Sequence, residues 1–346
     1  MATKDLKNQP DGERRYARAS SYDVAHAAGV AQSTVSRCFN PDSNISESTR
    51  ARVLKVAAEL GYTPNSLARS LITQRSNMVG VICSEFTLCN NPELVNALSS
   101  ALKNANISML LMIVENESAI ETTLPEALAY PLDGLISCVF MTEEQIQLFV
   151  KRRVPIVFFN RNIRSKGTDC ILTDQAEGSA QMASRLHAAG HRRILCVGGP
   201  TDAPEDSVSR ARLKGFLEAV DKLGGVETTC IHADYSYESG RDQFLAYVAE
   251  SGFPEAIFCV NDQLALGVMD ACRYECNLSI PEDVSVAGFD NVSDAGRPVY
   301  NLTTIHQQIV PMATRAVDLI LRRIAQPELP EETVTIRGIL IARASA

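Results

Sequence analysis

Two periodicities divide the chain. From Asp23 to Asn40, apolar residues recur at helical spacing: Val24, Ala25 and Ala28, then Val35 and Phe39, with only Gly29, Val30 and Ala31 between the runs. A glycine in so short a connection between two amphipathic segments marks a helix-turn-helix corner. The pattern predicts three helices, about Ser21–Ala28, Gln32–Phe39 and Ser46–Leu60. Ser20, with Asp23 three residues on, reads as a loose capping box for the first. "NPDSN" is a turn-rich break after the second. Ser46 can cap the third, and Gly61 stands where a C-cap would. Val53, Leu54, Ala57 and Leu60 make the third helix's apolar stripe. The following "TPNSLARSLITQRS" opens with the helix-start residues Pro64 and Asn65 but is too short to be stable alone.

After Ser76 the period changes. The apolar runs "MVGVICS", "ISMLLMIV", "LDGLISCV", "VPIVFFN", "RILCVGG", "AIFCVND" and "VSVAGFD" alternate with amphipathic helical stretches. Runs apolar on both faces and separated by helices predict a parallel sheet covered on both sides. Together with the later "VTIRGILIA" they exceed what one compact half needs, so two α/β halves with a cleft between them are expected. Ligands of open parallel sheets bind beyond the carboxyl ends of the strands. Ser84, Asn160, Arg161, Asn261, Asp262 and Asp290 stand at those ends.

Charge supports the division. Residues 1–75 carry 11 Lys and Arg against 7 Asp and Glu, a net +4, whereas the remainder carries 22 against 34, a net −12. A basic head on an acidic body points to an anionic polymer at the head alone. No run approaches a membrane span, and the polar N-terminus lacks an apolar signal core, so a cytoplasmic location is expected. Most of the ten cysteines sit inside apolar runs, and without an export signal they read as free core residues rather than disulfides. No G-x-G-x-x-G after the first strands, no G-x-x-x-x-G-K and no G-x-S-x-G appears, which removes the best support for dinucleotide, P-loop and hydrolase readings. His187 and His191 are four apart, but Gly190 is expected to end the helix between them, so neither a metal nor a cofactor is expected. No nucleophile–base constellation suggests an enzyme.

Seven stretches occur in order along nearly the whole chain: "YDVAHAAGVAQSTVSRCFN", "ISESTRARVLKVAAELGYTPNSLARSL", "LHAAGHRRI", "SRARLKGF", "VNDQLALGVMDA", "SVAGFDN" and "LTTIHQ". Together they resemble the LacI/GalR (lactose-repressor) family of bacterial transcription regulators. The resemblance implies an all-α helix-turn-helix head and an α/β body of two doubly wound parallel-sheet halves, similar to periplasmic sugar-binding proteins. It divides the chain into a flexible extension (1–19), a DNA-binding head (20–62), a hinge helix and linker (63–76) and an effector-binding and dimerisation body (77–346). One half of the body would comprise about 77–173 and 304–330, the other about 174–303 and 331–346.

The resemblance also implies a homodimer on a pseudo-palindromic DNA operator, with the second helix in the major groove. Gln32, Ser33 and Arg37 would read base edges. Tyr22, Thr34, Asn40, Ser46 and Thr49 would contact phosphates, which position without specifying. Asn65 and Leu71 fall in the hinge, with Leu71 as a minor-groove wedge. Ala31 departs from the family's serine and forfeits a helix cap, at about 0.5–2 kcal/mol. The chain stops at "LIARASA" without a leucine-heptad tail, so a dimer rather than a tetramer is expected. In the body, Ser84, Asn160, Arg161, Arg210, Tyr235, Asn261, Asp290 and Gln307 match cleft-lining positions, with Phe86 a second aromatic for a sugar face. Amides, a guanidinium and a carboxylate suit vicinal hydroxyls, so a carbohydrate or polyol effector is expected. The competing reading is a sugar-binding or sugar-processing α/β protein that carries a DNA-binding head.

Overall fold

The computed structural model describes residues 19–39, 43–63, 75–116, 119–205 and 207–346. The expected extension, the hinge, and Asn40, Asn65 and Leu71 lie outside the described residues. The chain forms two units, Met1–Ser76 and Asn77–Ala346.

In the head, α1 (Ser21–Ala28), α2 (Gln32–Cys38) and α3 (Glu47–Glu59) pack around Val24, Ala25, Ala28, Val35, Cys38, Val53 and Ala57. The capping box at α1 is complete: the Asp23 amide donates to Ser20 Oγ at 3.3 Å, and the Ser20 amide donates to Asp23 Oδ2 at 2.8 Å. Gly29 takes φ +64°, the left-handed turn that lets α2 start with only three residues between it and α1. Ser46 Oγ accepts from the Thr49 amide at the start of α3, whereas Ala31 provides no side-chain cap for α2. Of the expected α3 stripe, Val53 and Ala57 are buried, but Leu54 and Leu60 are exposed. Val53, Val56 and Ala57 already fill the one face that meets α1 and α2, and Leu54 lies a third of a turn away.

The body begins with β1 (Met78–Ser84), α4 (Glu85–Asn90), α5 (Pro92–Asn104), β2 (Ser108–Val114), α6 (Ile120–Ala129), β3 (Gly134–Ser137), α7 (Glu143–Val150), β4 (Ile156–Phe159) and β5 (Thr168–Asp174). It continues through α8 (Gln175–Ala188), β6 (Arg193–Gly198), α9 (Val208–Leu223), β7 (Glu227–His232), α10 (Tyr237–Ser251), β8 (Ala256–Cys259), α11 (Asp262–Asp270), β9 (Ser285–Ala287) and β10 (Thr304–His306). It closes with α12 (Ile309–Ala325), β11 (Thr333–Arg337) and β12 (Ile339–Ile341). Six parallel strands in the order β11-β5-β4-β3-β1-β2 make the first half, and four in the order β7-β6-β8-β9 make the second. Both orders reverse at an internal strand, β1 in one sheet and β6 in the other. These are the switch points where a doubly wound sheet opens a crevice. Separate cores cover the two faces of the first sheet, and a third surrounds the second. Among the described residues no helix is long and apolar enough to cross a membrane.

The chain passes between the halves after β5, after β10 and between β11 and β12. This shifts the expected division. β10 pairs with β12, and neighbouring bridges join Ala287 to Thr303 and Asp290 to His306, so residues 304–306 go with the second half. β11 pairs with β5, so 333–337 belong to the first half rather than the second. "VTIRGILIA" is therefore two strands broken at Gly338, where a Cβ would stand 2.7 Å from Ile305 Cγ2. Three strands, β5, β7 and the three-residue β10, lie outside the apolar runs. β5 carries Asp169, which is buried because Arg323 grips both its oxygens, at 2.6 and 2.7 Å. β7 is an edge strand and mostly exposed.

Candidate functional site

In the head, α2 buries Val35 and Cys38 and turns Ser33, Ser36 and Arg37 outward, with Gln32 and Thr34 half-buried. Gln32 Nε2 donates to Ser21 Oγ at 3.1 Å, which steadies the amide at the start of α2. Arg37 lies one turn on, its Nε 3.4 Å from the Ser33 carbonyl. Arg50 holds α3 against the end of α2 through the Cys38 carbonyl (2.9 Å) and the Ser43 carbonyl (3.0 Å). Tyr22 is exposed on α1. Ser46 donates to Thr49 Oγ1 at 2.8 Å, so both hydroxyls are engaged in the α3 cap. Ser33 and Arg37 are thus exposed on α2, and Gln32 at its start is half-buried.

In the body, contacts bring the carboxyl ends of both sheets together. Ser84 ends β1 and caps α4, accepting from the Thr87 amide. Phe86, in α4, meets Tyr235, which follows β7, with ring centroids 6.0 Å apart. Asn160, after β4, accepts from the Thr173 amide (2.8 Å) and donates to Gln307 Oε1 (2.7 Å). Gln307, on the crossing after β10, also accepts from Thr173 Oγ1 (2.8 Å) and donates to Asp290 Oδ1 (2.6 Å). Asp290 then pairs with Arg212 Nη2 at 2.8 Å. One continuous polar chain therefore runs from the first half through Gln307 into the second. Asn160, Tyr235 and Asp290 all have positive φ, at +52°, +75° and +128°. Asparagine tolerates this region, but a tyrosine there, or an aspartate at +128°, is held by its surroundings. Arg161 donates to the Asn160 carbonyl at 2.9 Å, and Asn261 caps α11 by accepting from the Leu264 amide at 2.8 Å.

Arg210 is not part of this gathering. Its Nε donates to the Ala203 carbonyl (2.8 Å), its Nη2 to the Thr201 carbonyl (2.6 Å), and its Nη1 lies 3.4 Å from Glu205. The buried guanidinium is that of Arg212. Besides Asp290 it donates to Gln175 Oε1 and the Val260 carbonyl, both at 2.8 Å, and lies 3.9 Å over the Phe289 ring. Residues two apart on a helix point to different sides. The α9 stripe Ser209, Arg212, Phe216 and Val220 selects the second arginine of "SRARLKGF", a signal available in the sequence.

Two glycines keep the site tight. A Cβ on Gly199 would lie 2.4 Å from the Tyr235 ring, whose hydroxyl bonds Ser209 Oγ at 2.7 Å. A Cβ on Gly288 would lie 2.2 Å from Asp262 Oδ1. Asp262, fully buried beneath Asp290, accepts from Thr304 Oγ1 (2.6 Å) and the Val292 amide (2.9 Å). Burial pushes its carboxyl up to about 7; the Asp290 charge adds to this, and its two hydrogen bonds and Arg212 oppose it. Burial also raises Asp290, against the pull of Arg212 and Gln307. The Arg212 guanidinium thus pairs directly with Asp290 and acts on the buried Asp262 only through its charge. The helix end expected between His187 and His191 falls at Ala188, and His191 bonds Ser285 Oγ at 2.9 Å. Among the described residues no group of three His, Cys, Asp or Glu could hold a metal.

Residues 22–65 match the pattern of bacterial regulatory proteins of the lacI family, and residues 183–346 that of the periplasmic binding protein-like domain. The ribose operon repressor of Escherichia coli (strain K12) is 31% identical over 336 residues, 95% of this chain and 100% of that one. The transcriptional repressor PurR of Actinobacillus pleuropneumoniae serotype 3 (strain JL03) is 29% identical over 329 residues, covering 93% and 97% of the two chains. The crystal structure of the lac repressor dimer bound to operator and an anti-inducer superimposes with a TM-score of 0.83 at 28% identity, over 95% of this chain and 99% of that one.

Proposed function

The chain belongs to the lacI family of bacterial regulatory proteins, and from that premise we propose that a small carbohydrate, bound between the two halves of its body, sets its grip on a DNA operator. The observation that carries this reading is the polar chain Asn160–Gln307–Asp290–Arg212, which ties one half to the other through side chains alone. A diol offers the same donors and acceptors as these amide, carboxylate and guanidinium groups. A sugar that exchanges with part of the chain favours one relative orientation of the halves. The aromatic rings of Phe86 and Tyr235 supply apolar faces for the ring carbons. The protein acts as a homodimer whose two heads read two half-sites, with Gln32, Ser33 and Arg37 facing the bases.

The ligand can shift operator affinity only by its differential affinity for the two orientations, about 1–3 kcal/mol in most such systems. The test is calorimetry against pentoses, hexoses, polyols and purine bases, with ribose first because of the ribose operon repressor's name. Binding of a sugar without turnover supports the proposal. Binding only of purines would replace the effector class, and conversion of the sugar would restore the sugar-processing alternative.

A further inference from the structure

β6 and β7 pair in parallel register, and Cys196 and Cys230 are direct partners across them. Neighbouring parallel strands run about 4.8 Å apart, inside the roughly 4.4–6.8 Å span that a disulfide bridges between Cα atoms. The two residues are opposites in environment. Cys230 lies on the edge strand and is, among the described residues, the one exposed cysteine, whereas Cys196 is fully buried in the second half's core. The neighbouring Cys196 thiol holds the Cys230 thiol down at about 7, against the effect of burial and with help from the charge of His232. That contact and burial keep Cys196 protonated, its thiol well above the ordinary value. His232 is two residues farther along β7, on the same side of the strand, with its Nδ1 2.9 Å from the Gly199 carbonyl. Nothing in the cleft or the head uses these groups.

We propose that Cys230 and Cys196 form a peroxide-reactive pair in which Cys230 attacks and Cys196 resolves. An exposed thiolate beside a second thiol is the arrangement that oxidation selects. The Cys230 thiolate attacks one oxygen of a hydroperoxide, the O–O bond breaks, and the departing alkoxide or hydroxide takes up a proton. The Cys230 sulfenic acid is then attacked by the Cys196 sulfur. The S–O bond breaks, water leaves with the Cys196 proton, and a Cys196–Cys230 disulfide forms. Two thiols supply the two electrons that reduce one peroxide to an alcohol or water. Because the two residues are direct partners across β6 and β7, the resolving step needs no solvent access to Cys196.

The test treats the reduced full-length protein with hydrogen peroxide, blocks remaining thiols and maps the digest by mass spectrometry. The expected product is a Cys196–Cys230 linked peptide, two hydrogens lighter, formed before any other cysteine is modified. In Cys196→Ala the disulfide is lost and a sulfenic acid at Cys230 is trapped by dimedone. In Cys230→Ser, a mild change on an exposed edge strand, neither product forms. At pH 7, Cys230 of the wild type alkylates roughly tenfold or more faster than Cys276, whose thiol burial raises. The wild-type and Cys230→Ser arms stand even if Cys196→Ala fails to fold. Oxidation that begins at Cys276, or a Cys230 that overoxidises without linking to Cys196, overturns the proposal.

Discussion

Replacing Arg212 with methionine is the sharpest probe of the cleft floor. The thioether keeps most of the apolar stem over Phe289 but removes every charged contact. Asp290 loses its 2.8 Å partner, and Gln175 Oε1 and the Val260 carbonyl each lose a donor at 2.8 Å. Removing one member of a buried pair costs about 3–5 kcal/mol, because the other charge stays buried and unpaired. Gln307 still donates to Asp290, and Asp290 can take a proton, so the loss depends on pH. Without the guanidinium, the already raised Asp290 carboxyl rises further. An acid whose folded pKa exceeds its unfolded one destabilises the fold progressively as pH climbs between the two. The deficit of Arg212→Met should therefore be near its full size at about pH 8 and smaller at about pH 5. Arg210→Ala is the internal control. Its carboxylate partner is 89% exposed and its own side chain 39%, so the ion pair contributes at most about 1 kcal/mol, and the Ala203 and Thr201 carbonyls it leaves are near the surface, where water replaces the lost donors. Urea denaturation followed by far-UV circular dichroism suits a chain without tryptophan. If Arg212→Met and Arg210→Ala fall within about 1 kcal/mol of each other at about pH 8, the cleft floor is not organised around Arg212.

Other outcomes follow from the same geometry. Gln32→Ala and Ser33→Ala should each cost about 1–3 kcal/mol on the preferred operator and relax specificity at one half-site position; selection from random DNA that returns an unchanged motif would contradict this. Asp262, at about 7 against an ordinary 3.8, adds no penalty below about pH 4 and its full penalty above about pH 7. Asp262→Asn should therefore gain thermal stability relative to the wild type between about pH 5 and about pH 8, and a constant difference across that window would contradict the burial argument. Gly199→Ala would displace the Tyr235 ring from its 2.7 Å bond to Ser209 and from Phe86. It should weaken sugar binding roughly tenfold in calorimetry while leaving sugar-free operator affinity unchanged; equal sugar affinity would remove Tyr235 from the site.

The parts of this protein that were legible in the sequence are those governed by local rules. The Ser20–Asp23 box, the Gly29 corner and the Ser46 cap depend on neighbours a few residues away, and all form as expected. Strands buried on both faces also stand out, because nothing polar interrupts them. What stayed hidden depends on partners far along the chain. β5 contains Asp169, made tolerable by Arg323 from 154 positions away, so a buried strand lacks a continuous apolar run. β7 is half in solvent and has no continuous apolar run. Arg210 and Arg212 are chemically identical in the sequence, and only the helical stripe they do or do not share with Phe216 separates them. Asp262 appeared at a strand end, but its coupling to Asp290 needs two loops to be folded against each other. The break at Gly338 turns on the close approach of Ile305, which no local pattern records.

The central claim is that occupancy of the cleft changes the grip of the heads on DNA. The most direct measurement is fluorescence anisotropy of a labelled operator, found by selection, titrated with the full-length protein in the absence and in the saturating presence of whichever sugar gives a calorimetric signal. The account predicts that the operator dissociation constant moves by about 5–150-fold, the equivalent of about 1–3 kcal/mol of coupling. A sugar that binds the body while the operator dissociation constant stays within about twofold would contradict it, since a ligand with equal affinity for both orientations shifts nothing.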